Sequence, residues 1–239
     1  GALNGITVTR NSDSTITVSG TPTADTTITL KDAAEISEPT FNDGFGNANI
    51  TSGSYTVDNE YAVGSGKYVF AGWYASADYS GGAVTEFANG TTYYAKWTKN
   101  GKTVRTTALD FFNDAASDKW KAGCTHEDTL WTNAAEGWSW DTASQTLTLN
   151  GVTIDAQIDE NTSGAIGVFK NATIKTVDGT ENFVRSRSEE GNSNAIFVQG
   201  DLTISGKGKL TVVGEEAGIH AEGNIEINAP ITATSTGKT

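Results

Sequence analysis

The chain has 239 residues with 16 basic and 29 acidic side chains, a formal net charge of −13 that repels nucleic acid phosphates and excludes a polyanion-binding role of that kind. A hydrophobic share of 36% with 27 further glycines is ordinary for a folded protein and excludes wholesale disorder, and no apolar run approaches the length that spans a bilayer as a helix. Threonine, valine and isoleucine abound while methionine is absent and prolines number three, which favours strands over helices.

The chain begins Gly1-Ala2-Leu3-Asn4, with neither methionine nor a leader, and reads as an interior segment or a processed form. Apolar residues then alternate at Ile6 and Val8, Ile16 and Val18, and Ile28 and Leu30, separated by Asn11-Ser12-Asp13 and Gly20-Thr21-Pro22. That pattern predicts short strands joined by turns. A passage rich in glycine and asparagine follows from Asn42 to Ser54.

An aromatic unit runs from Tyr68 to Trp97, with Phe70-Ala71-Gly72-Trp73-Tyr74 at one end and Thr92-Tyr93-Tyr94-Ala95-Lys96-Trp97 at the other. It resembles the Listeria–Bacteroides repeat, a small β-grasp-like module of bacterial surface proteins. The resemblance implies a spacer or adhesion module and not a catalyst. A module this small needs large side chains to bury enough area, so Trp73 and Trp97 are expected in its core.

Lys99-Asn100-Gly101-Lys102 is a polar break and divides the expected parts into 1–100 and 101–239. Beyond it Leu109, Phe112 and Ala116 are spaced as on one helical face, which predicts a short helix capping the part that follows. Trp120, Trp131, Trp138 and Trp140 cluster downstream. Cys124-Thr125-His126 looks like half of a metal site, but with one cysteine and two histidines in the chain a zinc site lacks ligands.

The last third repeats one short phrase. Lys170-Asn171-Ala172-Thr173-Ile174 returns as Gly200-Asp201-Leu202-Thr203-Ile204 and as Gly223-Asn224-Ile225-Glu226-Ile227, so that the isoleucines are spaced 30 and 23 residues apart. The longer spacing contains a polar insertion around Arg185 to Asn192. Each copy follows a small apolar stretch, of which Ala195-Ile196-Phe197-Val198 is one. Paired apolar residues two apart share a face but cannot bury themselves alone, so the copies are expected to stack as coils with Ile174, Ile204 and Ile227 in one column. Asn182 is expected to bond a turn, and Phe169 and Phe197, at matching positions, to stack inside.

Gly137-Trp138-Ser139-Trp140-Asp141, Asp178-Gly179-Thr180-Glu181-Asn182 and Gly218-Ile219-His220-Ala221 carry a second resemblance, to a bacterial carbohydrate-binding β-helix family. It covers about Gly123 to the C-terminus, although Ala217 stands where the family often has aspartate. It implies a secreted, non-catalytic, right-handed parallel β-helix associated with calcium and with acidic or plant-type polysaccharides. A stack ending at Thr239 is also expected to be C-terminally truncated, or to make end-to-end or edge contacts through its last coil.

The expected architecture is thus all-β for the most part: a β-grasp-like unit, then a right-handed parallel β-helix with a short helical cap. Flat apolar faces with polar neighbours suit sugars, and Trp131, Trp138, Trp140 and His220 are the candidates. Carboxylates at Asp155, Asp159, Glu160, Glu215 and Glu216 are candidate calcium ligands, since hard oxygen donors suit that ion. Hydrolysis needs two carboxyls held across a sugar bond, and Asp155, Asp159 and Glu160 read as one loop, so no enzyme is expected. The expected function is extracellular polysaccharide binding, secreted or attached to a bacterial cell wall, without nucleic acid or a membrane span. The alternatives are a structural or adhesive stalk without glycan and a polysaccharide lyase or hydrolase.

Overall fold

A computed structural model describes residues 2–11, 15–28, 37–63, 66–114, 119–122, 130–159, 162–188 and 193–237. No helix occurs among them. The chain divides into two compact units, Gly1–Ser37 and Glu38–Thr239.

The first unit is an antiparallel sheet of β1 (Ala2–Leu3), β2 (Ile6–Arg10) and β3 (Ile16–Gly20) in that order. Asn4 and Gly5, at φ 51° and 80°, make the left-handed two-residue turn that pairs Leu3 with Ile6. The expected alternation at Ile6, Val8, Ile16 and Val18 is carried by β2 and β3. Ile28 lies outside any strand, and residues 29–30 lie outside the described residues.

The second unit opens with β4 (Thr40–Asn42), β5 (Glu60–Val63), β6 (Gly66–Tyr74), β7 (Thr92–Lys99) and β8 (Lys102–Thr103). They form a sheet in the order β4-β7-β6-β5, with β8 on β7 and β4 parallel to β7. Asn100 and Gly101, at φ 51° and 75°, turn β7 into β8, so the polar break at Lys99–Lys102 is a hairpin inside this unit. Trp97 is fully buried, and the rings of Phe45, Tyr55, Tyr61 and Phe70 lie 4.7–5.6 Å from it. Its indole N–H donates to the Asp43 carbonyl at 2.9 Å, so the polar end of the ring is satisfied. Trp73 is buried in the same core, as its place in the aromatic motif led us to expect.

The remainder of the unit is built on three sheets. One runs β10 (Lys119–Ala122), β9 (Leu109–Asp114), β15 (Gly164–Val168), β18 (Asn194–Val198) and β21 (Ala217–Ala221). The second runs β11 (Leu130–Asn133), β12 (Trp138–Asp141), β13 (Thr146–Leu149), β16 (Ala172–Thr176), β19 (Leu202–Gly206) and β22 (Ile225–Asn228). The third holds β14 (Thr153–Gln157), β17 (Glu181–Arg187), β20 (Lys209–Gly214) and β23 (Ile231–Ser235). From β13 onward the chain visits these sheets in rotation, and each strand lies parallel to its counterpart one round earlier.

Register follows the repeats. Ile174 pairs with Ile204 and Ile204 with Ile227, while Ile166, Ile196 and Ile219 make a second column and Ile154, Val184 and Val212 a third. Six residues, 188–193, separate β17 from β18, where only Glu215 and Glu216 separate β20 from β21, and most of the difference in repeat length sits at this corner. Asn182 ties three rounds together: its Oδ1 accepts from the Gly151 and Val152 N–H groups at 2.9 and 3.1 Å, and its Nδ2 donates to the Lys209 carbonyl at 3.1 Å.

The helical cap is corrected. Leu109–Asp114 is strand β9, because Leu109 and Phe111 alternate inward and pair with Ile166 and Val168. Period two buries both, whereas a helix over the same residues would leave Phe111 off the apolar face. Strands thus cover this end: β9 and β10 on one sheet, β11 and β12 on another, and Arg105 bridging to β14 on the third. At the opposite end Ile225 and Ile227 are each 45% exposed.

Candidate functional site

Side chains on the first of the three sheets alternate between the core and its outer face. Ile166, Val168, Ile196 and Val198 are buried, as are Leu109 and Phe111 in the neighbouring strand. The positions between them form an outward column in register: Asp110, Gly167, Phe197 and His220. Phe197 and His220 stack with ring centroids 5.6 Å apart and planes at 21°. Phe169, just past β15, lies 5.9 Å from Phe197 at a tilt of 53°. Phe169 and Phe197 are half-buried and His220 is exposed.

Gly167 makes this packing possible. A Cβ there would collide with the Asp110 carboxylate and press on the Phe169 ring at 3.4 Å, so the missing side chain admits both groups to the strip. Asp110 Oδ1 is buried and accepts no hydrogen bond among the described residues, an uncommon state for a carboxylate oxygen. Burial pushes the Asp110 carboxyl up to about 6, with Asp159 adding to the rise and Arg105 opposing it. The outer face therefore presents three rings in a row, with the Asp110 carboxylate, its Oδ1 buried against Gly167, at one end. The exposed parts of such rings offer apolar surface to the C–H groups of a sugar.

The residues singled out in the sequence fare differently. His220 lies on the strip, stacked on Phe197. Trp140 is fully buried and stacks on Phe111 at 4.4 Å and 17°, which corrects its place among the sugar-binding candidates: it is a core residue with no face left for a ligand. Trp138 is half-buried edge-on to Phe111, and its indole donates to Glu136 Oε2 at 2.6 Å. The backbone of Trp131 pairs with Trp140, while its side chain falls outside the described residues. Phe169 and Phe197, expected to stack inside, stack on the outer face, because Ile196 and Val198 take the inward positions on either side of Phe197. Asp110 gave no sign in the sequence; only the parallel pairing of β9 with β15 places it beside the rings.

The carboxylates expected to hold calcium are mostly occupied one by one. Asp155 belongs to strand β14 and not to a loop; it is fully buried, and both its oxygens accept from Arg187 while Oδ2 also accepts from Tyr68. Asp159 accepts from the Thr162 hydroxyl at 2.8 Å and Glu215 from the Ser188 N–H at 3.1 Å. Glu216 is exposed, and Glu160, like Cys124 and His126, lies outside the described residues. Among the described residues no three His, Cys, Asp or Glu side chains converge.

A family model described as carbohydrate-binding domain-containing protein matches residues 137–238. No curated protein and no solved structure matches the chain. The matched segment contains Phe169, Phe197 and His220 and supports a carbohydrate-binding role for this part of the chain.

Proposed function

We propose that the chain binds a polysaccharide without cleaving it, and that the glycan lies along the Phe169–Phe197–His220 strip. The observation that carries this is the near-parallel stack of Phe197 and His220 on an outer sheet face, inside the segment matched by the carbohydrate-binding family. Neighbouring rings follow one another at 5.9 and 5.6 Å, so the strip contacts successive parts of an extended chain and not one enclosed molecule. Asp110 and the formal charge of −13 favour a neutral glycan over an acidic one.

The wider reading is an extracellular protein of a bacterial surface. Rotation through three parallel sheets supports a parallel β-helix, and its right-handedness follows from the hand that parallel crossovers adopt in nearly all proteins. Phe70 pairs with Trp97 and Trp73 with Ala95, which brings the two ends of the aromatic motif together and supports a β-grasp-like module of the Listeria–Bacteroides type before it. The commitment of Asp155 to Arg187 and Tyr68 favours binding over hydrolysis.

Calorimetric titration with soluble xylan and with polygalacturonate tests the reading, with calcium and with chelator in parallel. Binding of xylan that is stronger than that of polygalacturonate and indifferent to chelator is expected. Failure to bind any glycan favours a structural stalk, and release of shorter sugars revives an enzyme.

A further inference from the structure

A concavity that shares no residue with the aromatic strip lies between the β4–β8 sheet and the end of β14. It has a volume of about 280 Å³ and is lined by Asn42, Tyr79, Tyr94, Thr106, Thr107 and Gln157 together with small residues. This is near the lower end of the size of small-molecule sites, roughly 300–1,000 Å³. None of its lining residues carries a charge.

Tyr79 and Thr106 share a side-chain hydrogen bond in the wall, while groups on Asn42, Tyr94 and Gln157 are left to take a ligand. Asn42 Oδ1 accepts from the Gly44 N–H at 2.7 Å, which orients the carboxamide and leaves its Nδ2 without a partner among the described residues. The Gln157 carboxamide and the Tyr94 hydroxyl likewise have no side-chain hydrogen bond among the described residues. Each carboxamide offers both donor and acceptor, the pair of functions that a hydroxyl group matches. The glycines of the wall keep it open: Gly44, at φ 80°, has no room for a Cβ against Thr106, and Gly46, at φ 74°, lies beside Gln157.

Tyr79 adds the most telling feature. Its backbone stands at φ 60°, a conformation rare for an aromatic residue. The surroundings over-determine it: its N–H donates to the Ser76 carbonyl at 3.0 Å, and Asp78 Oδ1 accepts from the Ser76 hydroxyl and the Ser80 N–H at 2.7 and 2.8 Å. Its ring meets Tyr74 edge-on at 5.6 Å, and the Lys96 ammonium lies 5.7 Å from its centre. A loop held this firmly against its backbone preference places a phenol ring in the cleft wall.

We infer that this cleft binds one ring of a neutral sugar, either free or as the end of a chain, through Asn42, Gln157, Tyr79 and Tyr94. The site shares no residue with the aromatic strip, and its occupation is independent of the polysaccharide reading.

The test uses the full chain labelled with nitrogen-15 and titrated with methyl β-D-glucopyranoside, N-acetylglucosamine and cellotetraose at millimolar concentrations. Saturable shifts are expected at the backbone amides of Gly44, Gly46 and Thr107 and at the Gln157 side-chain amide with at least one probe. Gln157→Ala and Tyr79→Asn are each expected to weaken this binding about tenfold or more, or ~1.4 kcal/mol, while Phe197→Ala leaves it unchanged. Asparagine tolerates the left-handed backbone, so Tyr79→Asn removes the ring without adding strain. Tighter binding of cellotetraose than of the single rings identifies a chain end as the occupant, and equal affinity a free sugar. Absence of saturable shifts at the cleft with all three probes overturns the inference, as does binding that survives both variants.

Discussion

Arg187 grips the buried carboxylate of Asp155 through two hydrogen bonds, Nε to Oδ1 at 2.5 Å and Nη2 to Oδ2 at 2.8 Å. The two residues belong to neighbouring strands, β17 and β14, and Tyr68 from the aromatic sheet donates to the same Oδ2 at 2.9 Å. Burial and the adjacent Asp155 charge hold the Tyr68 phenol well above its usual range, so it stays protonated and donating. Asp155 thus joins two strands of the coiled part to the sheet that precedes it.

Removing the cation leaves a buried charge without compensation. Arg187→Leu is expected to cost about 3–5 kcal/mol of stability, read as a lower urea midpoint. Tyr68→Phe removes one bond to a charged acceptor and is expected to cost about 1.5–3 kcal/mol.

Asn182→Ala strands the Gly151 and Val152 N–H groups and the Lys209 carbonyl at the joint between three rounds. The expected cost is about 2–4 kcal/mol. Hydrogen exchange should show the loss concentrated in the amides of residues 150–153 and 209–210.

The coiled half was legible because its information is periodic. Ile174, Ile204 and Ile227 hold the same place in one recurring phrase, which predicts their alignment, and they pair in register. Trp73 and Trp97 were legible for another reason, since a small sheet has little else with which to fill a core. Leu109–Asp114 misled because Leu109, Phe111 and Phe112 satisfy two periods at once, and only the parallel partner β15 decides between them. The same dependence on partners hid the site. Phe197 reads as core until Ile196 and Val198 are known to face inward, and Asp110 lies 57 residues before Gly167, the position it faces.

Asp110 makes stability depend on pH in an unusual sense. Its carboxyl ordinarily titrates at 3.8 and is raised to about 6 in the fold, so between these values the folded chain holds more protons than the unfolded one. Stability from this group is therefore lost as pH rises from about 4 to about 6. Asp110→Asn should remove that slope and, allowing for partial screening, stabilise the chain at pH 7 by about 1–2 kcal/mol. Urea denaturation of both proteins across this range checks the sign. Equal stability at pH 7 would contradict the burial of Oδ1.

The charge of the strip also predicts selectivity. Polygalacturonate should bind more weakly than xylan at pH 7, and lowering the pH below about 6, where Asp110 takes up its proton, should narrow the gap. Paired titrations at pH 5 and pH 7 read this directly.

The most direct measurement is the affinity of the full chain for soluble xylan, compared among the parent, Phe197→Ala and His220→Ala proteins by calorimetry. Loss of either ring should weaken binding about tenfold or more while the melting transition stays in place, since both side chains sit on the outer face. Unchanged affinity in both variants would contradict the strip as the place where glycan binds.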